Sequence, residues 1–374
     1  MDKLNSTLRR EELAIKLRDM YEMYGYKQYK MSKFEEYEFY LENKSFLPSQ
    51  HIISFTDLSG KLLALKPDVT LSIAKNAQSQ KGAPEKFYYI ENVYRTPRAS
   101  SEFKEIMQVG LELLGDVDLY GQCEVLNLAQ KSLHSLSELS VMVVSHLDFV
   151  SGLLEDCILD KALRENILCY IGNKNTHEIA RLCKVSGIGA KEAEAVAATT
   201  TLYGEFNETI EKAEKLVRND LMQNALFQLR KLGEALTTEA CGKSPLLDFS
   251  VINDMRYYKG LIFQGFVDGV PNAVLSGGRY DKLMEKLGKK EGAIGFAVYL
   301  DQLERREQGK EHYDVDALLL YDDSTDLKKL NAVVKELVCD GKRLRVQRAK
   351  SAALKYKELL KLGDGGVEVL ERHD

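Results

Sequence analysis

Residues 153–238 carry no strand signal: Glu, Ala, Lys and Leu dominate there, in helical stretches at 208–217 and 221–236. On either side of this block the pattern changes to short runs of β-branched and aromatic residues bounded by turn formers. Residues 52–55 and 61–65 read as strands about a turn at 57–60. Residues 87–94 form a further strand, with 106–114 as its antiparallel partner. Strand patterns resume at 246–252, 260–267 and 273–275, followed by a glycine-rich turn and a last strand and helix over 293–307. A helical block set between runs of neighbouring strands does not fit regular βαβ alternation. It predicts an α+β fold, an antiparallel sheet flanked by helices, with a helical insertion at 153–238.

An amphipathic helix precedes the strands. Leu13, Leu17, Met20 and Tyr24 recur at helical spacing, and Gly25 stands where a left-handed cap is cheapest. Beyond a polar linker at 305–312 come a strand at 316–321, a helix at 327–338, a strand at 343–346, a helix at 352–362 and a strand at 367–370. That βαβαβ order predicts a small α/β domain with a mostly parallel sheet over 312–374, after a core domain of 1–311.

Bulk properties narrow the function. A net charge of −5 argues against a chain whose main partner is a polyanion. The densest basic stretch, Lys342, Arg343, Arg345, Arg348 and Lys350, alternates with Leu344 and Val346 as the solvated face of a half-buried strand does. No run approaches the roughly 18 apolar residues of a membrane span, and the start lacks a secretory pattern, so a cytoplasmic protein is expected. The six cysteines are scattered without a close pair, which predicts reduced, buried thiols and neither a zinc site nor a disulfide framework. No short catalytic signature is present, the six histidines are far apart, and no metal or cofactor is expected.

Three segments carry polar groups suited to one small ligand. In Leu65-Lys66-Pro67-Asp68-Val69-Thr70, a carboxylate and a hydroxyl share one face if the strand continues, a pair that suits an ammonium group; Asp68 after Pro67 is also an ordinary turn or helix-start residue. Arg95 ends one strand of the 88–115 hairpin, while Gln108, Gly110 and Glu112 share parity on the other. The third segment runs from Asn253 through Arg256, Tyr257 and Tyr258 to Gly260, followed by Ser276-Gly277-Gly278-Arg279-Tyr280-Asp281, in which the glycines read as a tight turn.

In order and spacing these segments resemble the catalytic core of class II histidyl-tRNA synthetases, from the first helix to about Arg306. The resemblance implies a dimer-forming first motif at 25–35, with Ser32 at the family's proline. Asp68 and Thr70 would receive a histidine ammonium group, Arg95, Gln108 and Glu112 would lie on the second motif, and Tyr257 and Tyr258 would enclose the imidazole. Two departures stand out: the family's catalytic arginine falls at Asn253, and the third-motif arginine that clamps the nucleotide falls at Gln302. Adenylation builds negative charge on phosphate, and each lost charge-assisted contact costs ~1.5–3 kcal/mol. The loop at 96–103, with Arg98 its one cation before Lys104, is poorly equipped to close over a triphosphate.

A kept amino-acid pocket beside a disabled nucleotide site is similar to the synthetase-like regulatory subunits of ATP phosphoribosyltransferase. That resemblance implies no catalytic residues in this chain, a short-form catalytic subunit as partner, L-histidine as feedback effector, and a homodimer within a hetero-octamer. The abbreviated C-terminal segment weakens the case for tRNA. A working histidyl-tRNA synthetase and a free-standing histidine sensor are the alternatives.

Overall fold

The computed structural model describes residues 2–47, 51–78, 83–96, 102–236, 244–252, 257–303, 313–351, 354–363 and 366–373. The chain divides into two compact units, Arg10–Arg306 and a smaller one of Glu307–Asp374 with Met1–Arg9.

Helix α1 (Asp2–Met23) stops at Gly25, whose φ of 80° lets the Tyr26 N–H turn back to the Tyr21 carbonyl at 3.2 Å. After β1 (Lys27–Gln28) come β2 (Phe34–Glu36), α2 (Tyr37–Glu42), β3 (Ser54–Thr56) and β4 (Leu62–Leu65). These three later strands form a small antiparallel sheet of order β2-β4-β3. Next are α3 (Thr70–Asn76), the long hairpin of β5 (Glu85–Arg95) and β6 (Lys104–Gly115), α4 (Leu119–Leu136) and β7 (Ser140–His146). The helical block follows: α5 (Leu147–Cys157), α6 (Lys161–Gly172), α7 (Thr176–Val185), α8 (Ala190–Ala198), the short β8 (Tyr203–Glu205), α9 (Phe206–Glu214) and α10 (Asp220–Leu236). The unit closes with β9 (Leu246–Asp248), β10 (Leu261–Val267), β11 (Leu275–Arg279), α11 (Asp281–Lys286) and β12 (Gly292–Tyr299).

The fold is α+β. Nine strands form one sheet in the order β1-β5-β6-β12-β11-β10-β7-β9-β8, antiparallel except at β1/β5 and β7/β9. Alternation along the strands sends side chains to opposite faces. Val109, Leu111 and Leu113 of β6 and Ile294, Phe296 and Val298 of β12 face a large core shared with α1, α4 and the helical block. On the other face Tyr89 and Val93 of β5 join a second core with α3, α11 and the small sheet.

Four local expectations need correction. The block at 153–238 holds a strand, β8, because three residues suffice to extend the sheet edge through β9. Ser276, Gly277 and Gly278 are strand residues, not a turn; a Cβ on Gly277 would sit 2.4 Å from the Gly295 carbonyl oxygen, so glycine serves close strand packing. The helix expected before residue 307 is seen as one 3-10 turn, Leu300–Leu303, and the linker at 305–312 lies outside the described residues. Cys169 and Cys339 are exposed, whereas Cys157 and Cys183 are buried.

The smaller unit holds β13 (Val315–Leu320), α12 (Leu327–Cys339), β14 (Leu344–Gln347), β15 (Tyr356–Gly363) and β16 (Gly366–Arg372), in the sheet order β14-β13-β15-β16. The helix expected at 352–362 is therefore the strand β15, and the order is βαβββ. Leu360 and Leu362 of β15 pack on one face of the sheet and Leu359 on the other. Lys357, Glu358 and Lys361 break strict alternation, and the spacing of Leu359, Leu360 and Leu362 fits a helix as well as a strand with apolar residues on both faces. Both pairings of β13 are parallel and β15/β16 is antiparallel. Four of the five cations of the basic stretch around β14 are paired locally: Lys342 meets Glu358, Arg343 meets Asp316, Arg348 meets Asp323 and Lys350 meets Glu371.

Candidate functional site

The β5/β6 register sets Tyr89 opposite Gly110 and Glu91 opposite Gln108, and β12 continues these rows with Ala297 opposite Gly110 and Gly295 opposite Glu112. Glycine hollows this surface. A Cβ on Gly110 would lie 2.1 Å from the Tyr89 ring, and one on Gly295 would lie 1.7 Å from Glu112 Oε2. The glycines make room for the Tyr89 ring and the Glu112 carboxylate, which line a cavity of about 180 Å³ on the face opposite the large core.

All seven residues expected to meet a ligand line this cavity: Asp68, Thr70, Arg95, Gln108, Glu112, Tyr257 and Tyr258. Arg95, Gln108 and Glu112 come from the hairpin by parity. Asp68 and Thr70 arrive by a different route from the one the alternation suggests, because the strand ends at Leu65. Thr70 starts α3, and Asp68 Oδ1 accepts the Leu71 N–H at 2.8 Å as a helix-start carboxylate. The hydroxyl of Thr70 donates to Glu112 Oε1 at 2.6 Å, so α3 and β6 meet on one carboxylate.

Phe46, Tyr89, Ser276, Tyr280 and Tyr299 also line the cavity and were not singled out individually. Tyr280 matters most: its hydroxyl donates to Glu112 Oε2 at 2.5 Å. The segment Ser276–Asp281 was the available signal, but nothing local in it distinguishes Tyr280 from any buried tyrosine. The aromatic wall is continuous. Tyr257 packs edge-on to Tyr258 at 4.6 Å between ring centres, and lies 5.7 Å from Tyr280 and 6.1 Å from Phe46.

Burial governs the electrostatics. Glu112 is 1% exposed, and loss of solvation pushes its carboxyl up to about 8, against the two hydroxyl donors; neighbouring Asp68 adds to the rise. Asp68 is also raised by burial, opposed by the Leu71 N–H and the Arg95 guanidinium. Arg95 lies over the Tyr299 ring at 5.7 Å. The cavity thus holds two acidic groups, one guanidinium and an aromatic wall, a composition suited to a small zwitterion with a ring.

Of the two positions where the synthetase arginines fall, Asn253 lies outside the described residues, as do Arg256 and Arg98. Gln302 sits in the turn after β12, its amide donating to Asp301 at 3.3 Å and accepting from Asn272 at 3.4 Å. Among the described residues no cluster of His, Cys, Asp or Glu could hold a metal ion, and no helix is long and apolar enough to cross a membrane.

The family model for histidyl-tRNA synthetases matches residues 4–303. The ATP phosphoribosyltransferase regulatory subunit of Clostridium kluyveri is 30% identical over 76% of this chain and 74% of its own length. The chain belongs to the histidyl-tRNA synthetase family, among the ATP phosphoribosyltransferase regulatory subunits. The regulatory subunit of Clostridium acetobutylicum is 29% identical over 90% of this chain and 86% of that protein. A Bacillus halodurans structure described as an ATP phosphoribosyltransferase regulatory subunit/histidyl-tRNA synthetase shares the fold, with a TM-score of 0.75 at 22% identity over 94% of this chain and 93% of that one.

Proposed function

We propose that the chain is a non-catalytic regulatory subunit of ATP phosphoribosyltransferase, which activates a short catalytic subunit and carries feedback inhibition by L-histidine. The observation that carries this reading is a cavity lined by Asp68, Glu112, Arg95 and tyrosines in a chain whose relatives bear the regulatory-subunit name. The ligand's ammonium group meets Asp68 and the lone pairs of Thr70 Oγ1. Its imidazole meets Glu112 between Tyr257 and Tyr258, and Gln108 and Arg95 orient its carboxylate. Asn253 and Gln302 stand where cations would stabilise adenylation, so ligand affinity is kept without turnover. A dimer of this chain takes its place in a hetero-octamer with the catalytic subunits, without tRNA, in the cytoplasm. Histidine then inhibits by binding the inactive arrangement more tightly than the active one.

The test is inhibition of the reconstituted complex by histidine, with Asp68→Ala and Glu112→Ala chains beside the wild type. Loss of inhibition with retained activation of the catalytic subunit is expected, and undiminished inhibition in both variants refutes the placement. Histidine-dependent exchange of pyrophosphate into ATP separates the alternatives. Robust exchange would establish a working ligase, and failure to bind or activate the catalytic chain would leave a free-standing sensor.

A further inference from the structure

Helix α3, which brings Asp68 and Thr70 to the cavity, is only seven residues long; Glu112, itself met by Tyr280, holds its start and Lys289 holds its end. At its start, Thr70 and Tyr280 converge on the two oxygens of Glu112 at 2.6 and 2.5 Å. At its end, Lys289 Nζ donates to the carbonyls of Ala74 at 2.5 Å, Lys75 at 3.0 Å and Ala77 at 2.5 Å. A helix terminus leaves its last carbonyls without intrahelical donors, and here one ammonium group supplies three hydrogen bonds.

Tyr280 immediately precedes α11, and Lys289 follows it after Gly288, whose φ is 76°. The Lys289 backbone is itself fixed, its N–H donating to the Met284 carbonyl at 2.9 Å. Between the two anchors, Leu71, Ile73 and Ala74 of α3 share a buried cluster with Leu283 and Met284 of α11. That apolar contact tolerates sliding along the helix axis, because dispersion has little directional preference. The two polar anchors do not.

We infer that Lys289, which does not line the cavity, is a positioning residue for it: by fixing the end of α3 it sets where Asp68 stands relative to Glu112. The inference rests on the amino-acid reading of the cavity. A lysine suits the task because its ammonium directs three donors from one point, whereas the planar fork of arginine spreads them.

The experiment uses the full chain with Lys289→Met, which keeps the stem and removes the donors. Binding of L-histidine and of its analogue lacking the amino group, imidazolepropionate, is measured by calorimetry. Because α3 carries the ammonium-binding groups, the variant should bind histidine about tenfold more weakly and the analogue within about twofold of wild type. Equal weakening of both ligands, or of neither, overturns the inference. Hydrogen exchange supplies a readout free of ligand: the Leu71 amide, held by Asp68, should exchange at least about tenfold faster in the variant while the amides of Val109 and Phe296 in the sheet keep their rates. An unchanged Leu71 rate overturns the inference. If the wild type does not bind histidine, the functional reading fails, and the Leu71 rate still decides whether Lys289 positions α3.

Discussion

Replacing Glu112 by glutamine should make the protein's stability less sensitive to pH, in a direction and amount set by the cavity. The carboxyl titrates near 4.5 in the unfolded chain and at about 8 when buried. Between those values the native state holds a proton that the unfolded chain has released. Native stability therefore falls as pH rises through the window, by about 1.4 kcal/mol per pH unit at full effect. Glutamine is neutral throughout. Its oxygen can still accept one hydroxyl, and its amide can donate to the oxygen of the other. The unfolding free energy of Glu112→Gln minus that of wild type should thus climb by about 2.5 kcal/mol between pH 5.5 and 7.5, other titrations cancelling in the difference. Asp68 interacts with Glu112, and any fall in its own raised value on removal of that carboxyl adds to the change in the same direction. Urea unfolding of both chains at four pH values, read by circular dichroism, measures the climb. A difference flat to within about 0.5 kcal/mol across that range would show that Glu112 ionises freely in the folded protein, and the burial argument would be refuted.

Gly295→Ala places a methyl 1.7 Å from Glu112 Oε2 and 2.4 Å from the Leu111 carbonyl oxygen, so β6 and β12 must separate; a loss of about 2–4 kcal/mol in unfolding free energy and of histidine binding is expected by urea titration and calorimetry. Lys66 is 1% exposed and paired with Glu91, and Lys66→Met alone should destabilise by about 3–5 kcal/mol, with Lys66→Met/Glu91→Leu recovering much of that in the same assay. Asp326→Ala removes the side chain that accepts the Lys328 N–H at 2.9 Å at the start of α12, and should cost the smaller unit about 1 kcal/mol, read from amide exchange of Leu330.

Strand parity was the most legible part of the site. Gln108 and Glu112 could be assigned to one face of β6 before any partner strand was known, because alternation is a property of the backbone alone. The end of α1 at Gly25 was equally local. The route of Asp68 and Thr70 to the cavity was not, since Pro67-Asp68 is consistent with a continuing strand or a helix start, and the packing of α3 on α11 selects the second. Residues 356–363 show the same limit: the leucines of β15 face two different cores, a distinction that single-chain periodicity does not contain.

Residue types and their spacing determined the α+β character, the helical block, the hairpin face and, through resemblance, the seven polar and aromatic positions of the cavity. Tertiary structure decided what those positions do together. Thr70 and Tyr280 converge on Glu112 from segments far apart in the chain, and the burial that raises its carboxyl exists only when the sheet, α3 and the tyrosines close around it. Glycines 110 and 295 mark the same division: as letters they suggest turns or weak strand positions, and only the approach of Tyr89 and Glu112 to within 2.1 and 1.7 Å of their absent side chains explains them. Local sequence encodes backbone preference and facing, whereas solvation and close approach are set by groups that folding brings in from elsewhere.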